Sequence, residues 1–156
     1  MDKEQQNSKT VTVNRKAYHD YHILDSVEAG IALKGTEIKS IRDNRVNIRD
    51  AYAKVENGEL WLFNAHISKY QASNYMDHDP DRKRKLLLHK NQIQNLAQDT
   101  VRKGLTIVPL KIYMKKGIAK VELGLARGKK AFDKREAIAK RDSDREIERS
   151  LKHRVK

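Results

Sequence analysis

Cysteine is absent from all 156 residues, so disulfides, thiol nucleophiles and zinc-thiolate sites are excluded and an oxidising compartment gains no support. Long apolar runs are missing too: the longest, such as Leu60 to Phe63, fall far short of a bilayer span. Met1 to Ser8 is polar and offers no segment for export, which makes the cytoplasm the expected compartment. Neither a phosphate-cradling glycine loop nor a nucleophile elbow is present. Aromatic residues are few, six Tyr, two Phe and one Trp. They stand among charges, as in Arg15-Lys16-Ala17-Tyr18-His19-Asp20-Tyr21-His22, an arrangement that suits base stacking.

What the chain has in excess is positive charge. Lys and Arg number 34 against 21 Asp and Glu, a net +13, and such an excess attracts polyanions over a Debye length. A membrane surface is the competing partner, but it calls for a basic helix with a broad apolar face, and none is read here. Nucleic acid is therefore the expected partner, with no membrane. The length suits one domain plus an appendage.

Apolar alternation starts at Val11 and Val13, and a strand is expected over Tyr21 to Leu33 with a bend or bulge at Gly30. Ile38 and Ile41 at helical spacing predict a short helix ending before Asn44. A hairpin follows, Ala51 to Val55 and Leu60 to Phe63 around Glu56-Asn57-Gly58-Glu59, where Asn-Gly supplies the positive φ angles of a tight turn. Trp61 and Phe63 read as core, and Ser68 to Lys85 as a long loop. Lys90 to Lys103 has the clearest helical pattern, with Ile93, Leu96, Ala97 and Val101 on one face and Gly104 as C-terminal cap. In a second hairpin, around Lys115-Lys116-Gly117, Val108, Leu110, Ile112 and Met114 share one face of the first strand. Ala119, Val121, Leu123 and Leu125 share one face of the second, and Pro109 predicts a ladder edge or bulge. From Asp133 to Lys156, 15 of 24 residues are charged. The seam of Ile147, Leu151 and Val155 is too narrow to bury much, so a helix there is expected only against a partner.

Two basic stretches are candidates for phosphate contacts. Arg82-Lys83-Arg84-Lys85 precedes the apolar run Leu86-Leu87-Leu88, and Arg127, Lys129 and Lys130 flank Gly128 where the last strand leaves the body. With Lys34, Lys39, Arg42, Arg45 and Arg49 they form a continuous footprint if folding brings them together; their bland readings are a solvated loop and an ordinary linker. Asp77, Asp79 and Asp81 imitate the start of a calcium loop, but Arg82 stands where glycine is required and Leu88 where the final glutamate belongs. His19, Asp20 and His22 have the composition of an acid-base group, though alternating histidines are more often surface. No catalytic residue, metal ligand or cofactor is assigned.

With those stretches in view, the chain resembles the small protein B family, the tmRNA-binding proteins of bacterial trans-translation. The resemblance runs from about Val11 to Ile138 and rests on Asn14 to Ala17, Glu28 to Ser40, Asp79 to Leu88 and Gly124 to Glu136. It implies a barrel of the oligonucleotide-binding type, with the tRNA-like domain of tmRNA as partner, held at its elbow. Asn14, Glu28, Leu87 and Lys120 match the family's RNA-binding positions. A carboxylate at Glu28 can accept from a base amino group; beside that stand the plainer readings that Glu28 ends a strand and Leu87 packs. In the tail, Asp133, Lys134 and Arg135 match the segment placed in the small-subunit decoding centre. The residues after them match a helix in the empty mRNA channel. Many members carry histidine before Asp-Lys-Arg; Phe132 here keeps a stacking face but loses a titratable ring.

The expected fold is mainly β: a small closed oligonucleotide-binding-type barrel over residues 11–130, about three peripheral helices, a disordered N-terminus over 1–10 and a basic tail over 131–156, disordered when free. The expected function is non-enzymatic: binding tmRNA, delivering its alanylated form with elongation factor Tu, and reading the empty ribosome with Phe132, Asp133, Lys134, Arg135, Ile147 and Leu151. The rivals are a ribosomal or translation-factor-like basic barrel and a metal-dependent nuclease built on Asp77, Asp79 or the histidines.

Overall fold

The structure, a computed structural model, describes residues 8–70 and 77–154, with side chains throughout except at 131–133, 136–137 and 151–154. It is mainly β, with four helices among the described residues. β1 (Ser8–Val13) begins inside the stretch expected to lack structure. α1 (Arg15–Asp20) follows directly, because Asn14 accepts a hydrogen bond from the Ala17 N–H and caps it. β2 (Tyr21–Ile31) and α2 (Gly35–Arg42) come next. β3 (Val46–Asn47) and β6 (His66–Ile67) form a separate two-stranded pair.

Between these two, β4 (Tyr52–Glu56) and β5 (Glu59–Phe63) make the expected hairpin. Asn57 and Gly58 have φ of 51° and 75°, the turn whose hand matches strand twist. β7 (Arg84–Leu87) closes the loop read over Ser68 to Lys85, of which residues 71–76 lie outside the described residues. α3 (Lys90–Lys103) ends at Gly104 with φ 62°. It buries Ile93 and half-buries Leu96 and Ala97, whereas Val101, expected on the same face, is 84% exposed. β8 (Thr106–Lys115) and β9 (Ile118–Gly128) complete the body.

The main sheet has seven antiparallel strands in the order β1-β8-β4-β5-β7-β2-β9, and β9 also pairs with β8. Its interior holds Ile31, Leu60, Leu62, Leu86, Ile107, Ile112, Val121 and Leu123, closed over by Ile41 of α2 and Ile93 of α3.

Three further expectations change within the main sheet. The irregularity in β2 lies between Ile23 and Asp25, while Gly30 stays in register with Leu87 and Lys120. A bulge between Pro109 and Lys111 divides β8, sending Ile112 and Met114 to the main core but Val108 and Leu110 to a small cluster with Ala17 and Ala126. Trp61 and Phe63 are half-buried on the outer face of β5, because strand alternation commits Leu60 and Leu62 to the core.

From Ala131 the chain is helical, α4 (Ala131–Arg154), where no helix was expected without a partner. Residues 138–150 are exposed throughout, so this stretch draws on the local propensity of its Ala, Glu, Lys and Arg. Among the described residues, no helix is long and apolar enough to cross a membrane.

Candidate nucleic-acid interface

Three of the four family-matched positions meet on one outward face. In the ladders of β2, Gly30 lies opposite Leu87 of β7 on one side and Lys120 of β9 on the other. Two residues back, on the same face, Glu28 lies opposite Glu122. Leu87 is 51% exposed while Leu86 beside it is buried, so Leu87 offers an apolar surface outward instead of packing inward. Its side chain lies where a side chain at position 30 would begin: a Cβ on Gly30 would stand 3.2 Å from the Leu87 Cβ.

Asn14, the fourth, is buried and fully engaged. Its side-chain amide donates to the Ile48 and Pro109 carbonyls at 3.0 and 2.9 Å while its oxygen caps α1. The side chain is an internal tie between α1, the Ile48 segment and β8, and not a direct RNA contact. Beside it runs a groove of about 420 Å³ whose wall includes Arg15, Lys16, His19 and Arg49.

The run Arg82 to Lys85 is not four free cations. Arg84 is fully buried; its Nε donates to Glu37 Oε2 at 2.7 Å and its other nitrogens to the carbonyls of Ala65 and Pro80. Arg82 grips the same carboxylate, which also accepts from the Lys34 N–H at 2.8 Å. Burial pushes the Glu37 carboxyl up, but hydrogen bonds from Arg82, the Lys34 amide and Arg84 outweigh it and hold it below the usual carboxylate range. Arg84 is thereby withdrawn from the expected RNA-binding set, since a guanidinium enclosed this way cannot reach a phosphate.

Lys83 and Lys85 remain at the surface. They pair with Glu56 and Glu59 at 3.3 and 3.2 Å, exposed contacts worth about 1 kcal/mol or less, which a phosphate can replace. The Lys83 ammonium also sits 4.6 Å above the Trp61 ring, and Tyr52 stacks on Phe63 at 5.3 Å. This cation-aromatic ledge was hidden by the assignment of Trp61 and Phe63 to the core; the alternation Glu59-Leu60-Trp61-Leu62-Phe63, with its purely aliphatic even positions, was the available signal.

Arg127, Lys129 and Lys130 belong to the opposite end of the β2–β9 ladder, where Tyr21 faces Gly128 and His22 faces Arg127. Seven residue steps along β2, roughly 23 Å, lead from Tyr21 to Glu28, so Arg127, Lys129 and Lys130 stand apart from the Glu28 end of that ladder. This patch holds the root of the tail. The Lys129 N–H donates to the Asp20 carbonyl at 2.8 Å, Lys129 Nζ to the Tyr18 carbonyl, and Lys134 Nζ lies 3.5 Å from the Asp20 carboxylate. The hydrogen bond with His19, opposed by slight burial and aided by Lys134, holds the Asp20 carboxyl below its usual range.

Arg135 and Ile147 lie on exposed parts of α4, and the side chains of Phe132, Asp133 and Leu151 lie outside the described residues. His78, not singled out by sequence, is buried between Thr36 and the Ile67 carbonyl, each 2.8 Å away, and ties the loop before β7 to α2. Among the described residues, no group of three or more His, Asp or Glu could hold a metal ion.

Comparison with known proteins places this geometry in context. The family model described as "SmpB protein" matches residues 11–153. The SsrA-binding protein of Carboxydothermus hydrogenoformans is 62% identical over 146 residues, 94% of this chain and 98% of that one. That of Ligilactobacillus salivarius is 56% identical over 153 residues, 98% and 99% of the two chains. A solved chain from a structure described as "tmRNA-SmpB: a journey to the center of the bacterial ribosome" is 53% identical. It superposes with a TM-score of 0.67, covering 81% of this chain and 93% of its own. With matches of this length and identity, the chain belongs to the SmpB protein family.

Proposed function

We propose that this protein binds tmRNA and acts in trans-translation, gripping the tRNA-like domain with the face that carries Glu28, Leu87 and Lys120. The observation that carries this reading is their convergence through the register of Gly30, on a chain whose relatives are SsrA-binding proteins. An exposed carboxylate, an exposed apolar side chain and an ammonium on one face can together read an RNA edge that phosphate contacts alone cannot discriminate. Lys83 and Lys85 border this face and supply the sequence-independent attraction. Asn14 contributes from within, by fixing α1 and the Ile48 segment that frame the basic groove.

The body is a closed barrel of the oligonucleotide-binding type; the additional β8–β9 pairing, which joins strands otherwise remote in the sheet order, supports this. It works in the cytoplasm, without catalysis, and accompanies alanylated tmRNA with elongation factor Tu to stalled ribosomes. The tail, residues 131–156, is disordered in the free protein and folds in the empty mRNA channel, with Phe132, Asp133, Lys134 and Arg135 at the decoding centre. Residues 138–150 of α4 are exposed, which leaves this stretch available to a partner along its length. The test is a titration at physiological salt of tmRNA's tRNA-like domain, ordinary tRNA and a ribosomal RNA fragment. Clear preference for the first is expected; equal affinity for all would return the protein to a general ribosomal or translation-factor role.

A further inference from the structure

Glu28 is an acidic side chain on a face proposed to meet a polyanion, so something must fix it and offset its charge. Tyr113 does the first. It lies on β8 opposite Lys120, its ring is buried, and its hydroxyl donates to Glu28 Oε2. The neighbouring cations do the second: Lys115 Nζ stands 3.8 Å from the same Oε2, and Lys111 lies 5.3 Å over the Tyr113 ring while pairing with Glu122 at 3.6 Å.

We infer that Tyr113 is a positioning residue for RNA recognition, a buried phenol that holds the Glu28 carboxylate in one orientation so that its remaining oxygen faces the partner. The inference rests on the proposed role of Glu28. A glutamate loses several rotamers when it is fixed at an interface, and a partner that fixes it beforehand lowers that cost of binding. Tyrosine suits the task because its ring is anchored by packing and only the hydroxyl reaches outward. Both contacts land on Oε2, which leaves Oε1 to accept from a base amino group or a ribose hydroxyl, the donors RNA presents, while phosphate oxygens are repelled. Burial, followed by the hydrogen bond and charge of Glu28, pushes the Tyr113 phenol up, in keeping with a hydroxyl that stays protonated and donates.

The experiment uses the full chain and tmRNA's tRNA-like domain, with Tyr113→Phe, Glu28→Gln and the double variant, each checked for fold by circular dichroism. Tyr113→Phe should weaken binding about three- to tenfold, the worth of one hydrogen bond, and should add no further loss in the Glu28→Gln background. Without RNA, the Tyr113 phenol, followed by carbon-13 NMR, should titrate lower in Glu28→Gln. A full additional loss in the double variant would make Tyr113 a contact or packing residue in its own right and overturn the inference. So would an unchanged affinity for Tyr113→Phe, or an unmoved phenol titration. If Glu28→Gln itself binds normally, the proposed role of Glu28 falls and this inference with it. A loss on Glu28→Gln with none on Tyr113→Phe removes the inference alone.

Discussion

Glu37 and Arg84 are both fully buried and meet at 2.7 Å, joining α2 to the start of β7 across 47 positions of sequence. Removing one partner of such a pair strands the other charge, which costs about 3 to 5 kcal/mol, whereas replacing both with apolar residues of similar volume is often nearly neutral. Arg84→Ala should therefore lower the stability of the body by about that amount. Glu37→Met with Arg84→Met should recover much of it. Urea unfolding of the three proteins measures this, and equal losses for Arg84→Ala and the double variant would show that the pair is itself net stabilising.

The same carboxylate makes stability depend on pH. Its folded pKa lies below its unfolded value near 4.5, so its contribution is fully present above that value and is lost as pH falls through the folded pKa. Asp20 acts in the same direction at the tail root. Protonated Glu37 resembles glutamine, so the melting temperatures of wild type and Glu37→Gln should differ most near neutrality and converge as pH falls below the unfolded value near 4.5 and through the folded pKa. A gap that stays constant with pH would assign the loss in Glu37→Gln to shape and not to charge.

Much of this fold was open to sequence reasoning where one local pattern decides it. The β4–β5 turn follows from period-two alternation around Asn57-Gly58, and the end of α3 follows from Gly104. The Glu37–Arg84 pair was hidden because it reverses the usual rule that charge stays outside, and no local pattern marks the exception. Pro109 marked the bulge in β8, but which cores the residues on either side of it enter escaped, since Val108, Leu110, Ile112 and Met114 read as one face until the ladder shows the shift. The site shows the same boundary. Glu28, Leu87 and Lys120 were assigned by resemblance, but their adjacency depends on β2 lying between β7 and β9, an order that alternation does not encode. Tyr113 could not be named before that register was known.

Because Lys83, Lys85 and Lys120 can reach phosphates while Arg84 cannot, salt dependence should sort the basic residues. Each phosphate contact removed should lower the slope of log affinity against log salt by about 0.7 to 0.9. Lys85→Ala and Lys120→Ala should each reduce the slope, and a variant at Arg84 should leave it unchanged per folded molecule. A slope that falls equally in all three would mean that Arg84 becomes accessible when RNA binds.

The tail separates the two tasks proposed for the molecule. Truncation after Lys130 removes α4 but leaves the β2–β9 ladder, with Glu28, Leu87 and Lys120, intact. The body should stay folded, since residues 138–150 are exposed throughout, and the tRNA-like domain should still bind, with some loss of salt-sensitive affinity. Tagging on ribosomes stalled at a message end should nevertheless fail, because Asp133, Lys134 and Arg135 are gone. Lys134 contacts Asp20 in the free body at 3.5 Å, a half-buried pairing that it must exchange for ribosomal RNA phosphates. Phe132→Ala should weaken tagging through lost stacking, which is worth about 1 to 3 kcal/mol per base. Phe132→His should be tolerated if the ring face alone matters. Tagging and tmRNA binding measured side by side decide the matter: normal tagging by the truncated chain would reduce the tail to a solvated appendage, and joint loss of both activities would make it part of the tmRNA-binding surface.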